Sequence, residues 1–220
     1  MRSFLTTAAL AVCLCTGAAA QKSPAPEPAP AENSPNRLVM EKPLAPGGTV
    51  VFEMNVGDLK ILPAPAQSGV RLEIHAGESV SPETIASWVK RFDVAADRAT
   101  LEIRIPKDHE HYGGTDVILY VPEQTELKIN LGVGDLTLRG IRGDKELHLG
   151  IGDLRIGVAN LQEYAHVEVH THLGDINDSL NHGLPTGFLG KSEDLTLHGR
   201  FHLKAFVGIG DLDLFEEGKS

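Results

Sequence analysis

The chain has 220 residues, with 20 Lys and Arg against 30 Asp and Glu and a formal net charge of −10. Such an acidic balance argues against nonspecific binding to nucleic acid or to an anionic membrane surface, since both are polyanions. Both cysteines, Cys13 and Cys15, fall within residues 1–20, so the remainder offers neither disulfides nor thiolate metal sites.

Residues 1–20 read as a signal peptide. Arg2 supplies a positive start, Phe4 to Leu14 an apolar run, and Ala18-Ala19-Ala20 a small-residue cleavage site before Gln21. The run is too short to cross a bilayer as a helix, so no transmembrane segment is expected in the mature chain. Removing Arg2 leaves 19 basic residues against 30 acidic, a net charge of −11. The expected location is outside the cytoplasm, in the periplasm or at the cell surface. Leu10-Ala11-Val12-Cys13 offers the alternative of a lipoprotein anchored through Cys13.

Residues 21–48 carry Pro24, Pro26, Pro28, Pro30, Pro35, Pro43 and Pro46. Few amide donors and little apolar payload predict an extended linker there. Residues 49–216 then suit one domain, followed by a short tail at 217–220. Gly48–Met54 and Val70–Ile74 alternate as strands do. Ser81 as cap, Pro82 at the first position, and Ile85, Trp88, Val89 and Phe92 at helical spacing predict one helix over 82–92. Phe92–Ala95 and Leu101–Ile105 read as a hairpin around Asp97. Lys107 to Gly114 is a polar loop holding His109 and His111, and Val117–Val121 is a strand ended by Pro122.

From Leu127 a phrase keeps returning. Gly-Val-Gly-Asp-Leu-Thr-Leu at 132–138 recurs around Gly152-Asp153 and Gly210-Asp211, with weaker copies at Gly174-Asp175 and Asp194 and an upstream copy at Gly57-Asp58. The aspartates at 135, 153, 175, 194 and 211 are 18, 22, 19 and 17 residues apart. A period near this length predicts stacked units, none able to bury its own apolar face. Upstream of each aspartate, positions −6, −4 and −2 are apolar (Ile129, Leu131, Val133; Leu147, Leu149, Ile151; Ala205, Val207, Ile209). Downstream, +1 and +3 are apolar (Leu136, Leu138; Leu154, Ile156; Leu212, Leu214). Stepping by two from −2 misses +1, so the inward parity switches at Gly-Asp, and a strand face switches only at a bend. The glycines Gly57, Gly134, Gly152, Gly174 and Gly210 supply the backbone freedom for such corners. Asp58, Asp135, Asp153, Asp175, Asp194 and Asp211 are expected to accept hydrogen bonds from nearby turn amides. The fold class is therefore all-β, a β-solenoid or β-helix-like stack of short strands with one short helix near its N-terminal end.

Together, the repeated Gly-Asp-Leu phrase, the Val121-Pro122 strand end followed by Leu127-Lys128-Ile129, and the preceding helix and hairpin resemble the bacterial putative-adhesin family of β-strand-repeat envelope proteins. The resemblance covers roughly residues 49–216. It implies a β-solenoid-like domain on the cell envelope or outside it, and brings no catalytic residues. The chain departs from the pattern over 174–194, where Asp178, Asn181, Gly183 and Pro185 interrupt it and Glu193 stands where a glycine is usual.

Ten histidines invite a metal hypothesis. His166, His170 and His172 lie close together, and His148 and His170 share position −5. On adjacent units those two would point outward near enough, with His172, to share Zn²⁺ or Cu²⁺. His109 and His111 flank Glu110 in a second candidate. Calcium needs six to eight oxygens, which one aspartate per unit does not supply, and no cofactor is otherwise expected. An aspartate repeated in every unit serves the unit, whereas active sites use unique residues, so no catalytic residue is assigned. The reading is a non-catalytic, adhesin-like binding or structural module whose partner is a protein or glycan of the cell envelope. Its alternatives are a periplasmic metal-binding protein using His148, His170 and His172, and a glycan-active β-solenoid enzyme. The tail after Leu214 is too short to cover the last unit, which predicts an open end for self-association.

Overall fold

The computed structural model describes residues 36–65, 69–77, 80–106, 114–178 and 189–217. The signal-peptide stretch, the first part of the proline-rich segment, and the loop with His109 and His111 lie outside the described residues. In chain order the elements are β1 (Arg37–Lys42), β2 (Thr49–Val56), β3 (Asp58–Pro63), β4 (Val70–His75), α1 (Pro82–Trp88), β5 (Val89–Ala95), β6 (Arg98–Ile103) and β7 (Asp116–Val121). There follow β8 (Glu126–Val133), β9 (Leu136–Leu138), β10 (Lys145–Ile151), β11 (Leu154–Val158), a 3₁₀ turn (Leu161–Glu163), β12 (Tyr164–Leu173), β13 (Ile176–Asp178), β14 (Leu189–Thr196), β15 (Phe201–Ile209) and β16 (Leu212–Glu216).

The strands form two eight-stranded mixed sheets with free edges, one ordered β1-β4-β7-β3-β9-β11-β16-β13 and the other β14-β12-β15-β10-β8-β2-β6-β5. Inward residues of both, among them Phe52, Leu131, Leu149 and Val207 from one and Leu59, Leu136, Leu154 and Leu212 from the other, make a single core. Five strand pairs cross from one sheet to the other at a Gly-Asp corner: β2/β3, β8/β9, β10/β11, β15/β16 and β12/β13. Neighbouring pairs run parallel and in register, so Leu147 faces Ile129 on one side and Ala205 on the other. Each corner thus repeats the same side chains at the strand spacing, about 4.8 Å apart.

Spatial order departs from chain order. The last unit, β15/β16, inserts between β10/β11 and β12/β13, so the aspartates stack as 58, 135, 153, 211, 175. The parallel β12 forms the outer rung, and β14 turns back antiparallel along it. Asp194 is consequently not a corner. It lies within β14 opposite Glu168, because Glu193 cannot adopt the glycine conformation that the other five corners use.

Two boundaries also differ from the sequence reading. Residues 37–42 lie in the stretch read as linker, yet they pair antiparallel with β4 as an edge strand. Leu38 and Met40 pack against the core from alternate positions, which is enough apolar payload for a strand. The helix keeps its Ser81 cap, whose side chain accepts from the Thr84 amide at 3.3 Å, but ends at Trp88 rather than 92. Val89–Ala95 pairs instead with β6, where Phe92 turns inward opposite Leu101. The helix contacts β1 and β5, an edge of each sheet, and buries Ile85 and Trp88.

On the outward side of β4, Glu73 is almost fully buried between Arg37 (2.7 Å) and Arg71 (2.6 Å). Burial pushes its carboxyl up, but the Arg37 hydrogen bond and the charges of Arg37 and Arg71 prevail and hold it below its ordinary value of 4.5. A depressed folded value means that this contribution is complete above the unfolded value and lost as pH falls through the folded one. Glu73→Gln is therefore expected to lower the melting temperature clearly at pH 7 and less at pH 3, by thermal circular dichroism. An equal loss at both values would remove the charge from the account.

Candidate binding face at the strand corners

Each corner solves a backbone problem. The glycine amide and the leucine amide donate to carbonyls of the adjacent rung, as Gly152 N to Ile209 O and Leu154 N to Asp211 O, both at 2.9 Å. The intervening aspartate amide points the other way. It donates to the aspartate carboxylate of the preceding rung: Asp135 N to Asp58 (2.9 Å), Asp153 N to Asp135 (3.0 Å), Asp211 N to Asp153 (3.1 Å) and Asp175 N to Asp211 (2.8 Å). The acceptors that the sequence placed within each turn thus bridge successive turns. The ladder opens with Asp58 N donating to Thr115 O at 3.0 Å and closes with Lys191 on the Asp175 carboxylate.

Asp153→Ala leaves the Asp211 amide without its charged acceptor and is expected to cost about 1–3 kcal/mol in urea unfolding. Asp153→Asn keeps a carbonyl oxygen in place and should recover most of that. Similar losses for both variants would count against the ladder.

The corner glycines hold φ between 119° and 144°. Position −2, expected to face inward, instead points out: Val133 is 44 % exposed, Ile151 48 % and Ile209 47 %. The physical reason is the bend itself. The strand has already begun to turn at the glycine of position −3, so the last apolar position that faces the core is −4 (Leu131, Leu149, Val207), as burial shows. These three side chains are in register with one another, and with half-buried Val56 and Leu173 at either end. They make one aliphatic stripe along the stacking direction, with the aspartate column beside it.

On the outward face of the longer-stranded sheet, the inserted β15 separates the proposed metal ligands. Phe206 stands between His148 and His170, its ring 6.1 Å from the first and stacked on the second at 5.4 Å and 12°. The two histidines therefore flank the Phe206 ring, His148 tilted at 41° and His170 stacked, with His172 exposed beyond. His166 faces Asp194 at 3.4 Å. Among the described residues no three His, Cys, Asp or Glu side chains converge on one point. Alongside the aromatic row runs a charged one, with Lys128–Glu146 at 3.0 Å and Lys204–Glu168 at 3.1 Å. It borders an open cleft of about 430 Å³ lined by Glu126, Asp144 and His202 among others.

Sequence reasoning missed the stripe. The signal was present, since Val133, Ile151 and Ile209 sit between two glycines, where a strand has already lost its regular pleat. Among the described residues no helix is long and apolar enough to cross a membrane.

No family model matches the chain, and no curated protein is similar to it. Among solved structures, a putative cell adhesion protein from Clostridium sporogenes is similar in fold, with a TM-score of 0.54 at 13 % identity over 83 % of this chain and 100 % of that one. A putative adhesin from Bacteroides fragilis aligns at 8 % identity over 84 % of this chain and 98 % of that one, with a TM-score of 0.30. A putative adhesin from Parabacteroides distasonis aligns at 12 % identity over 82 % and 96 %, with a TM-score of 0.27.

Proposed function

We propose that the chain is a non-catalytic, adhesin-like binding or structural module of the cell envelope, exported by residues 1–20 and carried on the proline-rich segment that follows. In this reading the parallel, in-register units form a β-solenoid-like core whose corners are the working surface. The observation that carries it is the aliphatic stripe of Val133, Ile151 and Ile209, 44–48 % exposed and in register over successive rungs. A contiguous apolar surface on a soluble fold marks contact with something else. The fold shared with the Clostridium sporogenes protein described as a putative cell adhesion protein supports the same class.

The test is retention of the full chain on washed cell-envelope preparations. Wild type should be retained, and Ile151→Ser/Ile209→Ser should be retained several-fold less at unchanged thermal stability. Equal retention of both would overturn the corner as the working surface. Release of new reducing ends from envelope polysaccharide by the wild type would overturn the non-catalytic reading.

A further inference from the structure

The aliphatic stripe does not stand alone. One residue beyond each bend glycine lies the aspartate column, so an apolar row and an anionic row run side by side along the stacking direction. Five rungs at about 4.8 Å give both rows a length of roughly 19 Å. Among the described residues only Asp175 of the five aspartates forms an ion pair, with Lys191. Asp58, Asp135 and Asp211 are exposed and Asp153 half-buried, and each carboxylate spends one oxygen on the next rung's amide. The other oxygen of each is left for a partner.

The geometry points to a basic amphipathic helix of a partner protein, laid along the corner with its apolar face on Val133, Ile151 and Ile209 and its lysines or arginines on Asp58, Asp135, Asp153 and Asp211. This rests on the binding-module reading and names the partner's chemistry. An α-helix rises about 5.4 Å per turn, close to the rung spacing, so side chains at i, i+3/i+4 and i+7 meet successive rungs. Three to four turns span the corner. Charge complementarity selects this occupant over the others. A second copy would set one aspartate column near another, and nucleic acid or anionic lipid would be repelled. A neutral glycan could hydrogen-bond to the carboxylates but brings no charge to balance them, and the aromatic rings that would stack on a sugar are on the far side of the glycine row.

The probe is a fluorescein-labelled fourteen-residue helical peptide of leucine and lysine, with leucines on one face and lysines flanking them, titrated with the full chain by fluorescence anisotropy. The peptide should bind in low salt and weaken as salt rises. Affinity should fall about tenfold or more in Asp135→Asn/Asp153→Asn/Asp211→Asn, which removes charge while keeping the ladder acceptors. It should fall similarly in Val133→Ser/Ile151→Ser/Ile209→Ser, and a peptide with glutamate in place of lysine should not bind. Melting curves confirm that both triple variants are folded.

Wild-type affinity in either folded variant, or equal binding of the lysine and glutamate peptides, would overturn the assignment. A wild-type dimer by light scattering that the serine variant dissolves would give the stripe to a second copy and overturn it as well. No peptide binding together with stripe-dependent retention on envelopes would sink the helix assignment while leaving the binding module standing.

Discussion

Gly152→Ala is expected to abolish cooperative folding of the stack. The residue sits at φ +135°, and an added Cβ would fall 2.1 Å from the carbonyl oxygen of Gly134 on the adjacent rung. Both atoms belong to backbone that is pinned on each side: Gly152 N donates to Ile209 O and Gly134 N to Ile151 O, each at 2.9 Å. Relief requires rungs to part, which breaks the ladder for every unit stacked beyond. A loss above about 4 kcal/mol follows, a large share of what a domain of this size holds in reserve. Gly47→Ala is the matched control. Its φ is +84° with nothing within 4 Å of the new Cβ, so only the conformational penalty of about 1–2 kcal/mol remains. Urea unfolding followed by circular dichroism separates the two. A Gly152→Ala variant as stable as Gly47→Ala would mean that the rungs are not held at the spacing described.

The same residues show what was legible in the sequence. Parity placed a bend at Gly134-Asp135, Gly152-Asp153 and Gly210-Asp211, since Leu131 and Leu136 cannot share a face unless the chain bends between them, whereas the other proposed corners rested on the repeated phrase. It could not say where within Gly-Val-Gly-Asp the bend begins, and this is why Val133, Ile151 and Ile209 were expected in the core. Rung order was hidden for a different reason. A repeat read along the chain fixes which residues are equivalent, but any two equivalent units can stack, and the insertion of β15/β16 beside β10/β11 is decided by long-range pairing. That one exchange places Phe206 between His148 and His170. Val89 and Phe92 satisfy both periods, and pairing with β6 ends the helix at Trp88. The candidate binding face was therefore half visible: its aspartates by repetition, its aliphatic stripe only once the corner was seen.

Lys145 is the position where the repeat breaks most sharply, and it should make stability rise with pH. It aligns with Leu127 on one neighbouring strand and Leu203 on the other, yet it is only 2 % exposed. Its Nζ donates to Gly143 O at 3.0 Å and to the Tyr164 hydroxyl, and lies 4.9 Å from the centre of the Tyr164 ring. Burial pushes the ammonium down from 10.5 to about 8, against the opposing charges of Asp144, Glu163 and Glu217. The folded value lies below the unfolded one, so between about 8 and 10.5 the unfolded chain binds the extra proton. Stability then increases with pH across that window, by an amount on the order of 3 kcal/mol, and below pH 8 the whole penalty is in force. Burial and the nearby Glu163 charge push the Tyr164 phenol up from its ordinary value of 10, so it stays neutral in the folded protein while the unfolded chain begins to ionise it near pH 10, a smaller opposing slope confined to the top of the window.

Lys145→Leu continues the leucine column and should flatten the dependence of the urea midpoint between pH 8 and 10.5. Pairing it with Tyr164→Phe avoids leaving a buried hydroxyl without a partner, a defect that would mask the gain. With both changes, the protein at pH 7 should be more stable than wild type by a substantial fraction of the penalty. If wild type and the double variant keep the same slope, the ammonium is not carrying the proton linkage. A buried, costly lysine in a column of leucines survives folding because its hydrogen bonds and the ring beneath it offset part of the desolvation. It also tethers β10 to the first residue of β12, two strands away across the inserted β15.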